Sequence, residues 1–141
     1  MIEDYGVSPF LEFVMNVLEV NVLVLAYIGD SIYENYVRHF LVNSGISDVD
    51  TLQKKSISFV SAKSQAAFLK RLLDDDFFDD DELSVIRRAR NYKSSRHPKN
   101  CDILTYKHAT ALEAVIGYLD LKNDKKRVKC IMETIFGGYI C

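Results

Sequence analysis

Residues 20–29, VNVLVLAYIG, carry no charge, and the next acid after Asp30 is Glu34. Leaving such a stretch in water forfeits about 1.5–3 kcal/mol for each large aliphatic side chain. The spacing predicts a helix over 22–43, ended by Asn43-Ser44-Gly45. A helix apolar on almost every side belongs at the centre of a fold. Asp30 then stands in the middle of a buried helix. An unpaired buried carboxylate is too costly to keep, so Asp30 is paired, metal-bound or exposed.

The other patterns are helical too. Ser8-Pro9 ahead of Phe10, Leu11, Phe13, Val14, Val17 and Leu18 reads as a capped amphipathic helix. Asp48 or Asp50 caps a helix running to about Leu73, with Leu52, Ile57, Val60, Ala67, Phe68 and Leu72 as its apolar positions. Helices over 80–91, 101–121 and 124–136 follow. The stretch DDDFFDDDE, 74–82, reads as a solvated turn whose second acidic block favours the next helix through its dipole, with Phe77-Phe78 folded back onto the core. It lacks the ligand spacing and the glycine of a calcium loop. Residues 91–100 form a loop. No repeat or strand pair is present, so residues 1–141 read as one all-α domain.

With 48% hydrophobic residues the chain can build a core without staples. The three cysteines are an odd number without a C-x-x-C pair, which argues against a disulfide framework or a zinc site and for a reducing, cytoplasmic setting. The N-terminus lacks the pattern of a signal peptide, and the longest uncharged run is too short to span a bilayer. There is no G-x-S-x-G, no Walker loop and no G-x-G-x-x-G, and His39, His97 and His108 lack zinc spacing.

The predicted helix around ATALEAVIGYL, 109–119, repeats the puzzle of Asp30: Glu113 is its one charge. If the two helices pack together, both acids face one cavity and repel. A cation between them resolves both costs, and oxygen ligands suit a hard ion such as Mg²⁺. Glu34 and Thr110 share helix faces with the two acids and can hold metal-bound water. The alternative is that each acid pairs with a nearby base: Arg38, Lys107 or His108.

The formal net charge of −2 hides a segregation. Residues 54–73 hold Lys54, Lys55, Lys63, Lys70 and Arg71 and no acid, and residues 84–108 hold seven Lys and Arg against Asp102 alone. A basic helix face and loop are either a solvated surface or the footprint of a phosphate backbone. In the second case Lys54, Lys55, Lys63, Arg88, Arg90, Lys93, Lys99 and Lys107 grip phosphates. Ser61, Gln65, Asn91 and Ser94 would serve hydroxyl and phosphate contacts, which read the shape of duplex RNA.

The stretch LAYIGDSIYE, 25–34, resembles the signature helix of the ribonuclease III family. VSAKSQA (60–66), RARNYKS…PKN (88–100) and TYKHATALEAVIGYL (105–119) resemble, in the same order, its bacterial branch made of the catalytic domain alone. The resemblance covers about residues 20–122. It implies the helical ribonuclease III catalytic fold and a homodimer with two active sites. It implies Mg²⁺-dependent hydrolysis of double-stranded RNA, with Mn²⁺ a substitute, leaving 5′-phosphate and 3′-hydroxyl ends. It further implies trimming of the 23S rRNA precursor, assisted by a large-subunit ribosomal protein. Asp30 and Glu113 match two metal-binding catalytic acids of the family. Where ribonuclease III proper has two more acids, this chain has Ala26 and Thr110. Ala89 and Ser95 stand where the branch has glycine. The thinner acid set leaves a rival open, a non-catalytic RNA-binding protein of the same fold acting in ribosome assembly. A helical interaction protein with no RNA role is a second rival.

Overall fold

Short polar side chains set where the helices begin. In a computed structural model describing residues 16–93 and 97–138, a 3-10 turn (Val17–Glu19) precedes six helices: α1 (Val22–Asn43), α2 (Val49–Val60), α3 (Ala62–Asp74), α4 (Asp80–Arg90), α5 (Ile103–Leu121) and α6 (Lys125–Ile135). Asn21, Asp48, Ser61, Asp79, Asp102 and Asp124 cap α1 to α6 in turn, each side chain accepting a bond from a backbone N–H that the helix leaves free. No strand occurs among the described residues, and the all-α expectation holds. The helix expected from Ser8-Pro9 falls largely outside the described residues.

The core is organised by α1 crossing α5. Val22, Leu25, Ala26, Gly29, Tyr33, Val37 and Leu41 form the buried stripe of α1. In α5, Ala109–Leu112 and Ala114–Leu119 are buried, so that helix is covered on nearly all sides. At the crossing the backbones themselves touch. A Cβ on Gly29 would overlap the carbonyl oxygen of Glu113, and one on Gly117 would overlap that of Leu25. Helices α3 and α4 pack against α5, and α2 packs on α1. The stripe of α1 covers one side only. Leu23, Val24 and Tyr27 stay exposed on the other, Tyr27 at 78%.

Two local expectations fail. The helix expected from 48 or 50 to 73 is two helices, because Ser61 takes an extended backbone (ψ 151°), closes α2 and caps α3 through Ser64 N at 3.1 Å. The stretch 74–82 is only partly solvated. Phe78 packs in the core and Phe77 against it, as expected, but Glu82 is buried. Its carboxylate receives Nε and Nη2 of Arg127, both at 2.8 Å, and closes a capping box with Asp79. Arg127 also lies 4.2 Å over the Phe77 ring and bonds the Phe77 carbonyl. Cys101 is a free thiol. No helix among the described residues is long and apolar enough to cross a membrane.

Candidate active site

The glycine crossing brings two acids together. Asp30 follows Gly29 on α1, and Glu113 lies one turn before Gly117 on α5. Their carboxyl groups lie close enough to act on each other, Asp30 raising the pKa of Glu113. Glu113 is partly buried and Asp30 is exposed. Burial above all, then the neighbouring Asp30 side chain and its charge, push Glu113 from 4.5 up to about 9, while the Gln65 amide pulls it down. Near neutral pH Glu113 therefore keeps its proton.

The alternative of pairing with bases is not what the fold does. Among the described residues neither acid forms an ion pair with a base. Arg38 Nη2 donates to Glu34 Oε1 at 3.0 Å, and His108 Nδ1 bonds the Leu104 carbonyl at 2.9 Å. A proton held on a carboxyl oxygen can be exchanged for a cation. The donor set suits Mg²⁺, which keeps several waters and takes one or two carboxylates. It does not suit a closed protein cage: no group of three or more His, Cys, Asp or Glu is arranged to hold an ion among the described residues.

The neighbouring positions are thin in acid. Ala26 is buried under the site, 7% exposed. Thr110 is buried and its hydroxyl donates to the Tyr106 carbonyl at 2.9 Å, which leaves its lone pairs to accept. Glu34 is half-buried and adds to the negative field at Glu113.

Gln65 lies inward of the basic surface expected to hold it: it is 3% exposed, and its Nε2 donates to Glu113 Oε2 at 3.4 Å. The turn at Ser61 rotates α3 so that this residue faces inward. Ser61 itself spends its hydroxyl on Ser64 as a cap. Lys54, Lys55, Lys63, Asn91, Lys93 and Lys99 are exposed, Lys107 is half-buried, and Ser94 lies outside the described residues. Arg88 and Arg90 are half-buried, and Arg88 Nη2 and Arg90 Nε are buried without a hydrogen-bond partner. Sequence reasoning missed Gly29, Gly117 and Tyr33. The signal for the first two is a glycine within four residues of each acid. Tyr33 is buried one turn past Gly29 and donates to the Phe59 carbonyl at 2.6 Å. Burial and the Glu113 charge hold its phenol far above the usual value.

Comparison with known proteins identifies the family. The family model for the ribonuclease III domain matches residues 23–124. The Mini-ribonuclease 3 of Staphylococcus aureus is 40% identical over 115 residues, covering 82% of this chain and 86% of that protein. The Mini-ribonuclease 3 of Brevibacillus brevis is 42% identical over 116 residues, covering 82% and 85%. The crystal structure of a Fusobacterium nucleatum protein superposes with a TM-score of 0.74 at 32% identity, covering 84% of this chain and 93% of that one. Matched along most of its length by the domain and by whole relatives, the chain belongs to the ribonuclease III family of endoribonucleases, in the Mini-ribonuclease 3 branch.

Proposed function

We propose that the chain cleaves double-stranded RNA with a divalent cation, Mg²⁺ or Mn²⁺ in its place, held by Asp30 and Glu113. The observation that carries this reading is the approach of two acids, Asp30 and Glu113, with no base paired to either among the described residues, where α1 crosses α5 through Gly29 and Gly117. A cation bound there supplies a polarised phosphate oxygen and an acidified water. The chain's own part is to hold two oxygen ligands on rigid helices, with Glu34 and Thr110 placed to orient waters. No histidine base is required.

The arginines support RNA as the substrate. Arg88 and Arg90 are half-buried on the basic segment, and a guanidinium fork matches phosphate oxygens. Lys54, Lys55, Lys63, Lys93, Lys99 and Lys107 extend the positive surface, and Asn91 and Ser94 add uncharged donors. The exposed Leu23, Val24 and Tyr27 suit burial against a second copy, so that a homodimer sets two sites on one duplex. We assign the products 5′-phosphate and 3′-hydroxyl ends, the substrate class to the 23S rRNA precursor in the cytoplasm, and an assisting role to a large-subunit ribosomal protein.

The missing acids at Ala26 and Thr110 favour one rival, a non-catalytic RNA-binding protein in ribosome assembly. Asp30→Asn separates the two. The enzyme reading expects the variant to lose cleavage of duplex RNA in Mg²⁺ while keeping duplex affinity in EDTA. An unmutated protein that never cuts duplex RNA in Mg²⁺ or Mn²⁺ establishes the rival.

A further inference from the structure

Gln65 is a buried polar residue that the proposed chemistry leaves unused. At 3% exposure its amide has no access to water, and an amide buried without a partner is destabilising. Its partner is Glu113, 48 residues away in sequence, through Nε2 donating to Oε2. An amide N–H donates to a carboxylate and does not compete for a cation, so this contact can persist when an ion binds.

The backbone is shaped to make that contact. An uninterrupted helix through residue 61 would rotate residue 65 differently about the axis. Instead Ser61 is extended and caps the new helix α3 four residues before Gln65. The end of α2 is tied to α1 by the Tyr33 hydroxyl, which donates to the Phe59 carbonyl. Tyr33 lies one turn from Asp30 on α1. A chain of contacts thus runs from the Asp30 helix, through Tyr33 and the Ser61 break, to Gln65 and the acid on α5.

We propose that Gln65 is the positioning residue of Glu113, holding Oε2 so that the carboxylate stays turned toward Asp30 and a shared divalent cation, and that the break at Ser61 exists to aim it. This inference rests on the metal-binding reading above. Outer partners of this kind contribute about 10- to 100-fold in metal affinity when removed.

The test uses the whole chain with Gln65→Met, which matches the glutamine in length and volume but lacks the N–H. Mn²⁺ binding is read from the free-ion paramagnetic resonance signal without RNA, and duplex affinity is read separately in EDTA. The expected result is a Mn²⁺ Kd about 10- to 100-fold weaker, with duplex affinity unchanged. The Mn²⁺ concentration for half-maximal cleavage rises by the same factor, and kcat recovers at saturating metal. Tyr33→Phe, which frees the end of α2, weakens Mn²⁺ binding by a smaller factor. A Q65M protein with the wild-type Mn²⁺ Kd overturns the proposal, and so does one that loses its far-UV helical signal, because Gln65 is then a folding residue. If the unmutated chain binds no Mn²⁺, the metal-binding reading fails first and the role of Gln65 falls with it.

Discussion

Replacing Glu113 by glutamine removes a charge that the fold disfavours, and it should stabilise the metal-free protein. Burial and Asp30 raise Glu113 from 4.5 to about 9. A carboxyl whose folded value lies above its unfolded value contributes stability that is complete below pH 4.5 and is lost as pH rises toward 9. At pH 7 that loss spans two and a half pH units, or about 3 kcal/mol at about 1.4 kcal/mol per unit. Relaxation of the exposed Asp30 side chain reduces this to about 1–3 kcal/mol. A chain of this size gains roughly 3–5 °C in Tm per kcal/mol, so E113Q should melt about 3–15 °C above wild type in EDTA at pH 7. The assay is thermal denaturation followed by far-UV circular dichroism between pH 5 and pH 9. The gap should widen with pH. Saturating Mn²⁺ should narrow it, because the ion stabilises only the protein that retains both acids. An E113Q variant that melts at or below wild type in EDTA, or a gap that ignores pH, refutes the reasoning.

Three further perturbations test other parts of the structure. Gly117→Ala drives a Cβ into the Leu25 carbonyl, so the two central helices must separate; urea denaturation should show a loss of roughly 2–4 kcal/mol. Arg127→Met strands the buried Glu82 carboxylate and should cost about 3–5 kcal/mol by the same measurement, most of it recovered in an E82M/R127M double variant. Replacing Lys93 and Lys99 together by glutamine should reduce the slope of log Kd for duplex RNA against log salt by roughly 1–2; an unchanged slope means that the phosphate surface lies elsewhere.

The central helix and its acid were legible in the sequence because both signals are local. An uncharged run of that length places α1 against the core, although Asp30 itself is exposed, one of the three outcomes the run left open. The second isolated acid, in 109–119, is its neighbour, provided the two helices cross. What forces the crossing is Gly29 against Gly117, which reads in sequence as two unremarked glycines. Their meaning appears only when two backbones separated by about 90 residues come into contact. Ser61 hid for the opposite reason. A single serine is tolerated inside a helix, and nothing in VSAKSQA says that its hydroxyl will instead cap the next turn. With that break unseen, Gln65 fell on the outer face among the lysines, whereas the fold buries it against Glu113. Glu82 was concealed in an acidic run whose other members are solvated. Its partner Arg127 lies 45 residues further on, and only the packing of α6 against the α4 end reveals it.

Anomalous diffraction from crystals soaked in Mn²⁺ tests the shared-cation claim most directly. The account predicts one strong peak at the α1–α5 crossing, with oxygens of both Asp30 and Glu113 about 2.1–2.2 Å away and the remaining positions filled by water. A site free of anomalous signal under saturating Mn²⁺ contradicts it.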